Sequence, residues 1–383
     1  MSVRHLVVVQ DRETQFDAPL YAKIFAEKPF ALTVFYTSQS GSQALHDSEI
    51  GRAPFWDHLA GISYFRSSIS LDNPLCLLRF AADLRRLSPD LVVICGYFPR
   101  THLVLAIVLK LMALRIGLRS DNTLQHSQFR GPIGRMRRFC IGWIQRLYDC
   151  WHPVGRLSQA YLKTIAGVER PTFRFAYAVD NDWFRAEAMK ARLTRSAFLS
   201  KLGWPLDSYV ILSIIKWNQR EDPFTLIEAF HHLSFHQPRI RLILVGDGPL
   251  RDSVHEACAG SRGLVHLPGY QPYTQLPSWY GRADLFVHPA PNEPWGVSIN
   301  EALACGLPVV AADGVGAAHE LIDPGVNGFV FQSCNVRSLA LSIEDAISAF
   351  QADPDRTETN CLEAANAWHY RNTVDALSLA LGC

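Results

Sequence analysis

The chain has 383 residues, of which 48% are hydrophobic and 19% are charged, a balance that excludes an intrinsically disordered protein. The formal net charge is only +1, yet residues 1–174 carry 22 Lys and Arg against 13 Asp and Glu. The length predicts two domains, and the excess of positive charge in the first half predicts an anionic partner there.

The cysteines and the apolar segments indicate the compartment. Nine cysteines are scattered singly and none forms a C-x-x-C pair, as expected of reduced thiols in the cytoplasm. No signal peptide is recognisable at the N-terminus. The most apolar stretch, Leu103 to Leu118, is interrupted by Lys110 and Arg115, so we predict a buried helix there and not a membrane span. We expect a cytoplasmic protein, with peripheral attachment at the inner membrane face as its closest approach to a bilayer.

Short apolar runs in the first half predict strands buried on both faces, at residues 5–9, 31–36 and 91–95. Between them, Asn73 to Leu87 has apolar residues at helical spacing. Alternating strands and helices predict a parallel sheet with right-handed crossovers.

The same pattern restarts after a loop-like stretch at residues 167–182. Strands are predicted at residues 209–215, 240–245, 284–288 and 308–311, and helices at 224–233 and 250–259. A last helical stretch, Glu363 to Leu381, has Trp368 and Leu377 on its docking face.

We therefore predict an α/β protein built from two facing, doubly wound, Rossmann-like domains with an interdomain cleft. The predicted boundaries are 1–178 for an acceptor-binding domain, 179–360 for a nucleotide-sugar-binding domain, and 361–383 for a helix that packs back towards the first domain. Ligands of such sheets bind at the carboxyl ends of the strands.

The segment from Tyr280 to Phe331 has the most informative chemistry. Glu293 and Glu301 are separated by seven residues, and a helix is predicted to start near Trp295–Val297. The unpaired amides of a helix start suit a diphosphate, and Gly296 would allow a ligand to approach the backbone. A carboxylate one to two turns into the helix could accept hydrogen bonds from a diol such as ribose.

This stretch resembles the signature of the family 4 retaining glycosyltransferases, which are group 1 glycosyltransferases with the GT-B fold. Their E-x7-E motif is matched by Glu293 and Glu301, and residues 306–310, Gly-Leu-Pro-Val-Val, follow in the expected order. Residues 244–250, Leu-Val-Gly-Asp-Gly-Pro-Leu, also match, so Gly246 is implied to contact the nucleotide. The resemblance is specific over residues 209–332 and general over the first 180.

The resemblance implies roles for individual residues. Glu293 would contact the donor sugar and Glu301 the ribose, while the amides of Trp295, Gly296 and Val297 would meet sugar hydroxyls and phosphate.

The family also places an Arg and a Lys five residues apart against the diphosphate. Lys216 stands at the Arg position, but Glu221 stands at the Lys position. Arg220, one residue earlier, could supply that charge.

The implied mechanism retains the anomeric configuration without an enzymatic nucleophile, with the leaving phosphate accepting the proton of the acceptor. Fixed cations and helix amides would stabilise the negative charge that grows on the diphosphate. The resemblance implies no metal and no cofactor beyond the donor substrate, and Glu293 is then a positioning group and not a general base.

The first half has weaker signals, each with a structural alternative. Asp121 could contact sugar or acceptor, or it could cap the next helix. The aromatic stretch Phe55 to Phe65, with Trp56 and Asp57, could line an acceptor site or form a packed loop. His102 and His126 are isolated, and most such histidines are core or surface residues.

Five arginines alternate with apolar residues over residues 129–146. This segment could be a helix that contacts an anionic membrane surface or a charged acceptor. Alternatively, its apolar face packs on its own sheet and its arginines face water.

The leading hypothesis is a retaining hexosyltransferase that moves sugar from a nucleotide-diphosphate sugar to a glycan or lipid-linked acceptor in polysaccharide, lipopolysaccharide or glycolipid synthesis. The alternatives are a GT-B epimerase-like enzyme and a catalytically silent nucleotide-sugar-binding subunit, which the loss of the family lysine at Glu221 would suit. No recognised module accompanies the basic residues, so a nucleic-acid partner is not expected.

Overall fold

A computed structural model describes residues 3–38, 62–71, 73–97, 100–127, 129–261 and 263–382. The chain divides into two units. The first contains the described residues up to Ala178 together with those from Tyr370 onward, and the second contains residues 179–369. Each unit is described separately below.

The first unit has a six-stranded parallel sheet with the order β3-β2-β1-β4-β5-β6. Its strands are β1 (His5–Gln10), β2 (Ala31–Tyr36), β3 (Arg66–Ser68), β4 (Leu91–Cys95), β5 (Ile116–Ser120) and β6 (Cys150–Pro153). Its helices up to Ala178 are α1 (Asp17–Glu27), α2 (Pro74–Leu87), α3 (Arg100–Leu111), α4 (Gly131–Arg146) and α5 (Arg156–Ala166).

The apolar runs form these strands because both faces of the sheet are covered. Along β1, Leu6 and Val8 enter one core cluster, whereas Val7 and Val9 enter the other. Side chains alternate along a strand, so a strand with two buried faces needs an apolar residue at every position.

The second unit has another six-stranded parallel sheet, with the order β12-β11-β10-β7-β8-β9. Its strands are β7 (Tyr209–Ile214), β8 (Ile240–Val245), β9 (Val265–Gly269), β10 (Leu285–His288), β11 (Val309–Ala312) and β12 (Gly328–Phe331). Its helices are α6 (Asn181–Leu193), α7 (Arg195–Lys201), α8 (Pro223–His236), α9 (Arg251–Cys258), α10 (Leu276–Tyr280), α11 (Val297–Ala304), α12 (Ala318–Leu321), α13 (Val336–Ala352) and α14 (Pro354–Asn366), with a 3₁₀ turn at Tyr273–Gln275.

Both sheets have the Rossmann strand order, in which the first and fourth strands of each unit are neighbours. The predicted α/β class with two doubly wound parallel sheets is confirmed. The direction of winding reverses between β1 and β4 in the first unit and between β7 and β10 in the second.

The final helix, α15 (Tyr370–Gly382), belongs to the first unit. Val374 and Leu377 pack into the core cluster that contains Leu6 and Val8. Arg115 donates to the Ala380 carbonyl at 2.8 Å, which holds the end of the helix. The prediction of one helical stretch over 363–381 is wrong in one respect, because residues 367–369 separate α14 from α15.

The predicted buried helix over 103–118 is also partly wrong. Helix α3 ends at Leu111, Ala113 adopts a left-handed conformation with φ of 57°, and β5 begins at Ile116. The apolar run therefore comprises a helix, a turn and a strand. Within the described part of the chain, no helix combines the length and the apolar character needed to cross a membrane.

Candidate functional site

The winding of the second sheet reverses between β7 and β10, and this is where sheets of this kind bind their ligands. Two loops leave the carboxyl ends of these strands. One runs from Ile215 to Asp222 and contains Lys216 and Arg220. The other runs from Pro289 to Gly296 and contains Glu293.

The backbone of Glu293 is fixed by the loop after β11. Its amide donates to the Gly314 carbonyl at 3.2 Å, and its own carbonyl accepts from the Gly316 amide at 2.9 Å. A Cβ atom at Gly314 would lie 1.9 Å from the carbonyl oxygen of Pro291, so only glycine fits there. The close packing of these two loops determines where the Glu293 side chain begins.

Arg220 joins the two loops through an ion pair. Its guanidinium donates to the Glu293 carboxylate at 2.5 Å and to the Glu221 carboxylate at 2.8 Å. The Glu221 amide in turn donates to the side-chain oxygen of Asn218 at 2.9 Å. Arg220 therefore supplies the positive charge between the two loops. The neighbouring Glu221, which stands where the resembled family has a lysine, is buried and orients Arg220.

Lys216 and Gly246 lie in adjoining loops at the same end of the sheet. The amide of Ile215 donates to the Val245 carbonyl at 3.1 Å, and the amide of Trp217 donates to the Asp247 carbonyl at 3.0 Å. These two bonds bring the backbone around half-buried Lys216 beside the turn that contains Gly246.

Helix α11 starts at this edge of the sheet. Gly296 precedes it with φ of 92°, and a Cβ atom there would lie 2.7 Å from Cγ1 of Val315. Glycine adopts this left-handed conformation without strain. The first amides of a helix have no partner within the helix, so the backbone at Val297 is suited to an anion.

The side chain of Trp295 packs inside the second unit. It is buried, its indole donates to Oδ1 of Asn300 at 2.9 Å, and its ring centroid lies 4.6 Å from that of Trp368. Its carbonyl accepts from the Ala317 amide at 2.7 Å. The side chain of Trp295 therefore anchors the start of α11 and leaves the backbone as the group that could contact a ligand.

Glu301 lies on α11 and is only 2% exposed. One of its carboxylate oxygens accepts a hydrogen bond from the Tyr280 hydroxyl at 2.8 Å. Burial raises the pKa of Glu301 to about 7, and the bond from Tyr280 offsets part of that increase. Since a carboxylate has two acceptor oxygens, Tyr280 uses one of them.

His288, the last residue of β10, is a member of this site that the sequence reasoning missed. It is buried, and burial, together with the charge of Arg220, lowers its pKa to about 4, so its ring is neutral at pH 7. Its Nδ1 lies 3.4 Å from the Ser298 hydroxyl, and its Nε2 has no hydrogen-bond partner among the described residues. The only available signal was a histidine at the end of an apolar strand that precedes an acidic loop.

Asp121 lies in the first unit, directly after β5. Its carboxylate accepts a hydrogen bond from the Tyr177 hydroxyl at 3.0 Å. The alternative that Asp121 caps the next helix is wrong, because the N-cap residue of α4 is Arg130.

The other candidates of the first half include His102, Trp56 and Asp57. His102 is a core residue whose ring contacts Thr37 at 3.1 Å, and Trp56 and Asp57 are outside the described residues. In the described ranges, no group of three or more His, Cys, Asp or Glu is placed to hold a metal ion.

The loops and the helix described above lie within the part of the chain that matches a known family model. Residues 194–360 match the model of "Glycosyl transferases group 1". A D-inositol 3-phosphate glycosyltransferase of Xylanimonas cellulosilytica is 31% identical over 186 residues, which are 46% of this chain and 42% of that protein. The lipopolysaccharide core biosynthesis glycosyltransferase LpsE of Rhizobium meliloti is 32% identical over 151 residues, 39% of this chain and 42% of that protein. The matches thus cover less than half the length of these relatives.

The fold likeness extends over nearly the whole chain. The crystal structure of Anabaena HepE in complex with UDP matches with a TM-score of 0.74 at 18% identity, covering 99% of this chain and 99% of that one. At this identity the match establishes the fold alone, which is that of the GT-B glycosyltransferases.

Proposed function

We propose that this chain is a retaining glycosyltransferase, because residues 194–360 match the model of the group 1 glycosyltransferases. In this proposal it transfers a hexose-type sugar from a nucleotide-diphosphate sugar to a glycan or lipid-linked acceptor, in polysaccharide, lipopolysaccharide or glycolipid synthesis.

One observation carries the proposal: the ion pair between Arg220 and Glu293 lies beside the start of α11, at the reversal point of the second sheet. A guanidinium fork and a helix start both favour phosphate oxygens. A carboxylate favours sugar hydroxyls. A nucleotide-diphosphate sugar contains both groups, in adjacent positions.

We assign the donor's parts accordingly. The diphosphate would contact Arg220, Lys216 and the first amides of α11, and the ribose diol would contact the second oxygen of Glu301. Glu293 would exchange its bond with Arg220 for one with a sugar hydroxyl. Since Anabaena HepE binds UDP, uridine donors are the first to test.

The proposed reaction breaks the bond between the anomeric carbon and the diphosphate oxygen, and the electron pair leaves with the diphosphate. An acceptor hydroxyl attacks the same face, and its proton passes to the leaving phosphate oxygen. Arg220 and Lys216 supply positive charge where negative charge grows. Neither a metal nor a covalent enzyme intermediate is required, so EDTA should leave the rate unchanged.

The acceptor and the compartment are proposed from the names of the relatives and from the free thiols, and not from the geometry of the site. Relatives are named for an inositol phosphate and for the lipopolysaccharide core, so we propose a hydroxyl acceptor that carries a phosphate or lipid, bound by the basic first unit. The eight cysteines among the described residues are all free thiols, as suits the cytoplasm.

The test is transfer from UDP-sugars to a panel of such acceptors, followed by NMR of the anomeric proton of the product. We expect product with the donor's anomeric configuration, and a loss of about 10²-fold or more in rate for Glu293→Gln without loss of fold. Inverted product would overturn the retaining mechanism. Tight UDP binding without turnover on any acceptor would indicate a silent binding subunit instead.

A further inference from the structure

Helix α4 has an unusual distribution of side chains. The residues it buries are small or polar for the most part: Gly134, Ile141, Gly142 and Gln145. Its neighbour is α5, and the Arg146 side chain donates to the Ala166 carbonyl at the end of α5 at 2.6 Å. The helix is thus attached to the first unit through a face that needs little apolar surface.

The large apolar side chains of α4 point outward instead. Ile133 is 85% exposed, Met136 and Phe139 are each 66% exposed, and Trp143 is 59% exposed. Their spacing of three to four residues places them on one stripe. At 100° per residue this stripe is centred roughly opposite the buried face. The alternative in which the apolar side chains pack on the sheet holds for Ile141 and Ile144, which join the core cluster, but not for this stripe.

Basic side chains accompany this stripe, and no acidic residue interrupts it. Residues 129–146 contain five arginines and no Asp or Glu. The exposed Arg135 lies towards one side of the stripe on the helical wheel, and the exposed Arg137 lies towards the other. An apolar strip with arginine on both sides is the pattern of a helix that lies in the plane of an anionic membrane surface.

Other helices of the first unit also expose apolar side chains. Helices α2, α3 and α4 all contribute side chains to the same core cluster, so they cover the same face of the sheet. On their outer sides, Leu75, Val104, Ile107 and Leu111 are between 42% and 82% exposed. Ten of the 20 exposed large apolar side chains among the described residues lie on these three helices. Soluble monomers rarely expose large apolar patches unless these bind something.

We propose that α4 is a membrane-docking helix that inserts Ile133, Met136, Phe139 and Trp143 at the surface of an anionic lipid bilayer. The arginines on either side contact lipid phosphates. This inference does not depend on donor binding, and it would place the enzyme where a lipid-linked acceptor resides.

The test is flotation of the full chain with vesicles of phosphatidylcholine, either alone or with about 30% phosphatidylglycerol, at low and high salt. We expect binding to the anionic vesicles that weakens as salt rises, and little binding to the neutral ones. Arg135→Gln with Arg137→Gln should reduce the partition coefficient, by about 5-fold for each charge removed.

A second pair of variants separates insertion from simple charge attraction. Ile133→Gln with Phe139→Gln should lose most of the binding because the apolar contact is removed. Phe235→Gln is the matched control, since Phe235 is 84% exposed on α8 of the second unit, and it should bind as the wild type does. Unchanged thermal melting and UDP binding would show that the variants are folded.

Two results would overturn the proposal. One is equal binding to neutral and anionic vesicles, or no binding to either. The other is a wild-type dimer in light scattering that Ile133→Gln with Phe139→Gln converts to monomer without effect on vesicle binding. In that case the stripe is an interface between two copies of the chain.

Discussion

The guanidinium of Arg220 lies between two carboxylates, those of Glu293 and Glu221, at 2.5 and 2.8 Å. Its planar fork can exchange a carboxylate for a phosphate with similar geometry. The sequence suggested that Arg220 replaces the lysine that the resembled family has at position 221. The structure explains the departure locally, because Glu221 is buried and orients the arginine.

Replacement of this arginine should weaken binding of the diphosphate selectively. Arg220→Ala should reduce UDP affinity by about 10- to 100-fold, because a charge-assisted contact is lost. The affinity for uridine, which has no phosphate, should stay within about two-fold of the wild type. Isothermal titration calorimetry with both ligands measures the difference.

The conservative variant Arg220→Lys serves as the control. It keeps the charge and loses the bidentate geometry, so it should fall between wild type and Arg220→Ala. Equal losses of UDP and uridine affinity in Arg220→Ala would mean that the arginine only supports the loop, and our assignment would be wrong.

Glu301 should make donor binding depend on pH. Burial holds its pKa at about 7, above the usual 4.5, so the folded protein favours the neutral form at acidic pH. A ribose diol donates to the ionised form. We expect UDP affinity to rise as the pH increases through about 7, and this rise should be smaller in Glu301→Gln. Both proteins experience the same titration of the UDP phosphate, so their difference isolates Glu301.

The raised pKa of Glu301 also predicts how the stability of the folded protein depends on pH. Because its pKa is raised by folding, the folded state binds a proton more tightly than the unfolded state does. The resulting stabilisation is complete below about 4.5 and is lost as pH rises through about 7. Relative to wild type, Glu301→Gln should gain up to ~3 kcal/mol in unfolding free energy between pH 5 and pH 8. Urea titrations that show no such change would contradict the burial of the charge.

At the level of elements, the start of α11 depends on Gly296. Gly296→Ala should cost about 1–2 kcal/mol for the left-handed backbone. It should also displace the loop, since the new Cβ would lie 2.7 Å from Val315 and 3.4 Å from His288. We expect at least about a 10-fold loss of UDP affinity, because contacts of this kind tolerate little misplacement.

Gly325→Ala is the matched control for that substitution. Gly325 has φ of 80°, and a Cβ atom there meets no other atom within 4 Å. It should lower the melting temperature through backbone strain alone and leave UDP affinity unchanged. If both variants bind UDP as the wild type does, the start of α11 is not part of the donor site.

Elements were predictable where burial dictates composition. The strands at 5–10, 91–95 and 240–245 are predominantly apolar because both faces are covered. The run at 103–118 was mistaken for one helix because α3 and β5 are both apolar and only the turn at Ala113 separates them. The outward stripe of α4 could not be predicted either, since periodicity shows that a helix has an apolar face but not what that face contacts.

For the whole molecule, the chain order of strands and helices was enough to predict two doubly wound sheets. The E-x7-E spacing predicted which loops to examine. The sequence could not predict which groups pair within the site, because Arg220 and Glu293 are 73 residues apart in the chain and Tyr280 and Glu301 are 21 residues apart. The first contact arises only when the sheet brings the loops after β7 and β10 together, and the second only when α10 packs beside α11.

The central claim is that a nucleotide-diphosphate sugar binds at the start of α11 in the second unit. Amide hydrogen exchange of the full chain, with and without saturating UDP, tests it most directly. We predict slower exchange in residues 215–222, 246–249 and 293–301, and little change in the first sheet. Protection confined to the first unit, or none in these loops with UDP, ADP or GDP, would contradict the account.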